Sequence, residues 1–467
     1  MSKSKPDKQN NKRFVFRRGE TIEEHSGLTK DQIMIRTFAA MCLPAAASIF
    51  AMGTNSLYNI LAALLATLLS HYLIRAFELR TFTTDIFVNN NTNCTYNSPY
   101  SPLVAGMIVA LCVGELTPPL ITALIAALTM IVFKWGQEKI FQRKIVNPAA
   151  AAKSLVLLII TLMWFLEDPL DSGLIFYPEH LEYALFTEEG FLRAMEYAEQ
   201  IGFYGTERLS AASSLILLKE HGWIGGASGL LVVISGILLA LWIKLKWRIT
   251  LVYLTTMIVL TSILAGLTGG HLGLRLAFHI FTGSVIFMAF YMATDPKTTP
   301  VTWKGQYLFG ALLGILTMGL QLAGLFGSSF IALTILNPFH FYLDRLGMKI
   351  SPVSPLKSQD ALKKYLRFPG PSLAAIDPIE EIEPEAKTRE IEGSVEECIR
   401  CGFCLEVCPK DLHPVLAMEA HEHEDNNMMD HVYPEECINC DLCSYVCPAL
   451  IKVPEHLDEI RDRMKID

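Results

Sequence analysis

Charge is scarce in this sequence, and cysteine is nearly absent from most of its length. Only 18% of the 467 residues are charged while 51% are hydrophobic, and the mean hydropathy is positive at +0.34. So little charge among so many apolar side chains fits a chain solvated mainly by lipid. The net charge of −8 describes the ends and one central loop, and implies no nucleic-acid partner. The opening residues, MSKSKPDKQNNKRFVFRRGE, have no apolar core behind their basic charge. No cleavable signal is therefore read there, and the apolar stretch from near Arg36 is expected to be a retained membrane helix. Of 11 cysteines, only Cys42, Cys94 and Cys112 lie outside the segment from Cys398 to Cys447. Such clustering argues against a disulfide framework and for a metal site.

Apolar runs suited to crossing about 30 Å of hydrocarbon occupy 36–53, 56–77, 102–114, 117–135, 148–166, 223–243, 249–268, 273–294, 305–322 and 327–344. They predict a polytopic α-helical membrane domain of about ten transmembrane helices. The third run is short and contains Pro102 and Gly106, as a half-helix or re-entrant segment would. Lys and Arg recur in alternate loops: Lys12 to Arg18, Arg75 and Arg80, Lys139 to Lys144, Lys244 to Arg248, Lys297 and Lys304, then Arg345 and Lys349. The positive-inside rule places these loops and both termini in the cytoplasm, and the acidic 167–221 loop outside.

Five runs precede that loop and five follow it, so an internal repeat would be inverted in the membrane. Asn147-Pro148 opens the fifth run and Asn337-Pro338 interrupts the tenth. The same pairs also read as ordinary helix punctuation. The expected organisation is a cytoplasmic segment 1–34, the membrane domain 35–345, a Pro- and Glu-rich linker 346–394, and a compact module 395–467.

That module repeats one motif. CIRCGFCLEVCP supplies Cys398, Cys401, Cys404 and Cys408; CINCDLCSYVCP supplies Cys437, Cys440, Cys443 and Cys447. Each is C-x2-C-x2-C-x3-C-P, which wraps three thiolates around one face of a [4Fe-4S] cube and sends the fourth to the other cube. Cys398, Cys401, Cys404 and Cys447 are thus expected to hold one cluster, and Cys437, Cys440, Cys443 and Cys408 the other. Zinc hooks do not repeat a triplet followed by Cys-Pro, and cytoplasmic disulfides are disfavoured. A small α+β or all-α dicluster ferredoxin-like domain, acting as a wire for single electrons, follows.

Residues 35–345 resemble the D subunit of the Rnf electron-transport complex and the B subunit of the sodium-pumping NADH:quinone reductase. The resemblance rests on FMAFYMATDPKTTPVTWKGQYLFGALLGILT at 287–317, SPLVAGMIVAL at 101–111, Asn-Pro-Ala-Ala at 147–150, and GWIGGASGLLVVISGILLALWIKLKWRI at 222–249. The cysteine module is similar to the two-cluster segment of the Rnf C subunit. In such proteins an outward loop carries FMN on a hydroxyl residue within roughly D-x-x-S/T-G-A-T/S. Here Glu207 to Ser213 read E-R-L-S-A-A-S, which makes Ser213 the acceptor and Ser210 the upstream hydroxyl. Glu207 and Ala211 depart from the pattern, and a Ser-rich helix start is the alternative. The resemblance also implies a second, non-covalent flavin, with GWIGGASG and ATDPKTTPVT as candidate surroundings. Tight helix packing would explain the same glycines, and a cap or turn would explain Asp295.

Together these readings predict a transmembrane electron conduit. A cytoplasmic ferredoxin or flavoprotein would exchange electrons with the clusters, and other membrane subunits would complete the complex in a bacterial or archaeal cytoplasmic membrane. Clusters inside and FMN outside would lie about 30 Å apart, too far for one efficient hop, so a further cofactor is expected between them. Two rival expectations are a redox-driven Na+ or H+ translocator, for which Glu115 is the nearest acid, and an assembly or sensory protein supporting a separate reductase. His271, Arg275 and His279, near one broken helix, are ionisable at membrane depth and so are functional candidates; a hydrated vestibule would explain them equally.

Overall fold

The computed structural model describes residues 28–79, 100–141, 143–167, 216–218, 222–243, 246–269, 271–281, 284–323, 328–350, 398–423, 425–429 and 431–464. Its described residues divide into two compact units, one within Lys30–Ser351 and a second that includes the described residues of Pro352–Asp467.

The larger unit is helical. Its helices are α1 Lys30–Met52, α2 Thr54–Leu79, α3 Tyr100–Cys112, α4 Pro119–Met130, α5 Gln137–Phe141, α6 Pro148–Glu167, α7 Gly229–Ile243, α8 Trp247–Thr268, α9 Leu272–Phe281, α10 Val285–Tyr291, α11 Trp303–Leu322, α12 Ser328–Leu336 and α13 His340–Ile350. Every apolar run carries helix, but the runs are not equally long. Five helices among the described residues are long and apolar enough to cross a membrane: α1, α2, the continuous Pro119–Phe141 rod, α8 and α11. The α9–α10 pair, bent by 55°, makes a sixth if it forms one span.

The interruptions have local causes. Gly53 ends α1 with a φ of 70°, and its N–H closes on Ile49 O at 3.0 Å, the glycine termination that lets α2 begin at once. The rod containing α4 opens on Pro119, whose missing donor costs nothing there, and passes through a π-helical stretch at Ile131–Gly136. Pro338 stops α12 by forcing one 3-10 turn at Asn337–Phe339 before α13 resumes.

The two halves pack alike. In the first, α2 lies against α4 and α3; in the second, α8 lies against α11 and α9. Across the halves α1 meets α7, and α6 meets α12. These are the pairings that a duplicated five-segment unit would make around one axis. Glycine permits the closest approaches: a Cβ at Gly225 would fall 2.5 Å from Leu111 O, and one at Gly310 2.9 Å from Ile249 O. Packing therefore accounts for Gly225 in GWIGGASG.

In the smaller unit the described residues form short helices and turns, with no strand. They are α14 Phe403–Glu406, α15 Pro414–Glu422, α16 Asn426–Met429, α17 Leu442–Tyr445 and α18 Val453–Met464. The unit is a duplication: α14 and α17, and the starts of α15 and α18, share the offset that relates Cys398 to Cys437. Positive φ recurs at equivalent positions, at Arg400 (55°) and Asn439 (51°), Gly402 (85°) and Asp441 (60°), Asp411 (53°) and Leu450 (59°). Left-handed residues of this kind turn successive peptide N–H groups inward, which is how a loop wraps an anionic cluster.

Candidate functional site

In the small unit, Cys408, Cys437, Cys440 and Cys443 line one cavity together with Pro409, Leu412, Leu442 and Leu457. The fourth cysteine of the first run thus stands with the three leading cysteines of the second. Burial pushes the Cys443 thiol up to about 12, and the neighbouring Cys440, Cys437 and Cys408 push it the same way. Burial also pushes Cys408 up to about 11, opposed by the backbone N–H groups of Lys410 and Leu412. Cys404 is raised by burial and then by Cys401, Cys398 and Cys443. Thiols crowded so closely in an apolar setting resist ionisation until a cation compensates them. The donor set suits iron-sulfur chemistry: soft thiolates, an almost wholly apolar lining, and peptide N–H groups directed at sulfur. One such bond joins Arg400 N to Cys398 Sγ at 3.4 Å. Among the described residues no three His, Cys, Asp or Glu converge as ligands of a single metal ion.

In the membrane unit the two Asn-Pro pairs meet. Asn147 Nδ2 donates to Asp295 Oδ2 at 3.2 Å, and its Oδ1 accepts from Ala150 N at 3.2 Å, capping α6. With the Asn337 amide oriented to suit its neighbours, its Nδ2 donates to Thr298 O at 3.2 Å and its Oδ1 accepts from Asn147 N at 2.8 Å. The ATDPKTTPVT segment is the hub of this junction. Lys246 Nζ donates to Pro296 O (2.7 Å), Thr299 O (2.8 Å) and Thr299 Oγ1 (3.0 Å). The buried Asp344 carboxylate accepts from Val301 N (2.8 Å), Thr302 N (2.9 Å) and Thr302 Oγ1 (3.0 Å). Asp295 is thus a turn residue tied to the repeat junction.

Lys153 is a residue that the sequence reading passed over. It lies buried on α6, with Nζ 3.2 Å from the Trp223 ring centre and 4.1 Å from that of Phe330. The signal was present as a lone Lys within the apolar run NPAAAAKSLVLL, and a cation there calls for a role. Of the three ionisable candidates near the broken helix, Arg275 and His279 are buried while His271 is exposed. His279 Nδ1 faces Gln321 Oε1 at 3.0 Å, and Gln321 Nε2 donates back to His279 O at 3.2 Å. Glu115 is buried beside the short bridge between Gly114 and Trp223. Glu207, Ser210 and Ser213 lie outside the described residues, as does most of the linker 346–394.

Residues 23–348 match the NQR2, RnfD, RnfE family, and residues 397–451 match the 4Fe-4S dicluster domain. The D subunit of the proton-translocating ferredoxin:NAD(+) oxidoreductase complex of Clostridium ljungdahlii is 24% identical over 308 residues, 65% of this chain and 87% of that protein. The D subunit of the ion-translocating oxidoreductase complex of Methanosarcina acetivorans is 36% identical over 110 residues, 24% of this chain and 35% of that protein. The B subunit of the Na(+)-translocating NADH-quinone reductase of Ectopseudomonas mendocina is 33% identical over 125 residues, 24% and 31% of the two chains. The first match spans most of its relative, and the other two span about a third of theirs. The chain is a multi-pass membrane protein of the NQR2, RnfD, RnfE family, joined to a 4Fe-4S dicluster domain.

Proposed function

We propose that this chain is an electron-transfer subunit of an ion-translocating oxidoreductase complex, passing electrons between its iron-sulfur unit and flavin held by the membrane unit. The observation that carries this reading is the cavity lined by Cys408, Cys437, Cys440 and Cys443, on a chain whose other unit belongs to the NQR2, RnfD, RnfE family. Cys437, Cys440, Cys443 and Cys408 would hold one cluster, and Cys398, Cys401, Cys404 and Cys447 the other. When bound, the clusters supply one-electron chemistry. Partial burial of the cysteines and peptide N–H groups directed at sulfur would tune the potential. Both termini and the cluster unit are assigned to the cytoplasmic side, where a ferredoxin or flavoprotein would exchange electrons with the chain or with neighbouring subunits.

FMN, esterified to Ser213 with Ser210 and Glu207 in the flanking motif, is the proposed carrier of the outward loop. A second, non-covalent flavin is proposed for the membrane interior. Mass spectrometry of the Glu207–Lys219 peptide tests the first: the mass of FMN less water on Ser213 is expected, and an unmodified peptide from mature protein refutes it. Redox titration of the intact chain, followed by EPR, tests the conduit. Two interacting [4Fe-4S] signals that re-oxidise through the membrane unit are expected, and clusters that exchange no electrons with it refute the reading.

A second reading, cation movement through the membrane unit, draws on the burial of Glu115. Vesicles carrying Glu115→Gln would then lose cation uptake while retaining electron transfer; unchanged uptake refutes this role.

A further inference from the structure

The two cysteine runs are equivalent in sequence and unequal in exposure. Ile399, in the loop between the first and second cysteines of the first run, is 6% exposed, whereas its counterpart Ile438 is 45% exposed. Arg400 is 8% exposed and tied to Glu419 by an ion pair of 3.3 Å, while its counterpart Asn439 is open to solvent. Tyr445, two residues before Cys447, is 50% exposed. The exposed Ile438 lines the cavity shared by Cys437, Cys440, Cys443 and Cys408, and the exposed Tyr445 follows Cys443 of that cavity by two residues.

The unmatched charge beside this apolar tip is acidic. Lys410 pairs with Glu436 at 3.6 Å, Lys452 with Glu455 at 3.0 Å, and Arg461 with Asp458. These three cations are therefore already matched by acids. Glu435 and Asp441, exposed on either side of Ile438, have no ion pair among the described residues. An apolar centre with an acidic rim fits a partner of the opposite pattern, since complementary charge speeds encounter and fixes register.

We infer that the face formed by Ile438, Tyr445, Glu435 and Asp441 is the electron port of this chain, and that its partner is a redox protein presenting a basic rim around an apolar contact. The inference rests on the electron-transfer reading above. It also means that an acidic carrier would not dock here directly, and would need a cationic intermediary.

The test uses the full chain in nanodiscs with both clusters present. Binding of zinc-substituted cytochrome c, a basic and redox-inert probe, is read by fluorescence. Re-oxidation of the reduced clusters by cationic tris(phenanthroline)cobalt(III) and by anionic iron(III)-EDTA is read by stopped flow. The variant combines Glu435→Lys with Asp441→Asn, the latter chosen because Asn tolerates the φ of 60° at that position. Glu422→Lys, exposed on α15 of the first half, is the control. The variant is expected to weaken probe binding about tenfold at low salt and to erase most of the cationic oxidant's advantage, with the control unchanged. Equal effects in variant and control, or no effect in either, overturn the port. Missing cluster signals in the wild-type chain would instead refute the electron-transfer reading itself.

Discussion

Paired cysteine substitutions distinguish the crossed arrangement of ligands from the simple one in which each run holds its own cluster. In the crossed arrangement Cys408 and Cys437 serve the same cube, because both line one cavity. Replacing both by Ala strips two of four thiolates from that cube and none from the other. The chain should then fall from about eight iron ions to about four, keeping one fully ligated [4Fe-4S] centre. Replacing Cys437 and Cys447 instead takes one thiolate from each cube and leaves no centre with four. Low-temperature EPR of the reduced protein, with iron and sulfide analysis, reads the difference. The first pair should give one simple, uncoupled [4Fe-4S] signal, and the second pair none of normal shape. The reverse outcome, an intact centre after loss of Cys437 and Cys447 and none after loss of Cys408 and Cys437, refutes the crossed assignment and with it the reading of the cavity.

Iron-free protein should respond to pH in a defined sense. Burial raises Cys408 to about 11 and Cys443 to about 12, so the stability that these neutral thiols contribute is full below their unfolded pKa near 9 and is lost as pH rises through 11 to 12. Alkylation of these two thiols should be slow at pH 8 and accelerate only well above 9; rapid labelling at pH 8 would contradict this. Asp344→Ala removes the acceptor of three buried hydrogen bonds at 2.8–3.0 Å and should cost about 3–5 kcal/mol. Heating in detergent followed by size exclusion should show a clear drop in midpoint, and a wild-type midpoint would show that the carboxylate is dispensable. Trp223→Ala should be strongly destabilising, because it strips the buried Lys153 side chain of the ring packed against it as well as opening a cavity. Adding Lys153→Met should restore part of the loss, since an apolar side chain needs no ring face, and strict additivity of the two would disprove their coupling.

Much of the architecture was legible in the sequence because lipid and iron-sulfur clusters impose local rules. Hydrocarbon requires long apolar helices, so the run at 56–77 announces α2 and the run at 249–268 announces α8. A cube requires thiolates at fixed short spacing, so Cys398 to Cys408 and Cys437 to Cys447 declare themselves without reference to anything distant. Residues paired over long sequence separations were not legible in this way. Asn147 and Asn337 could be read as echoes of an internal repeat or as ordinary punctuation, and only packing brings one amide against the other beside Asp295. Lys153 drew no reading at all, because its partners Trp223 and Phe330 come from elements far along the chain. The inequality of the two cysteine runs is likewise tertiary: Ile399 and Ile438 occupy identical motif positions, and burial by the surrounding fold is what distinguishes them. Helices and cluster loops follow from short-range periodicity and ligand spacing; which charges are buried, which polar groups pair and which cysteine run is the more exposed depend on contacts between residues far apart in the chain.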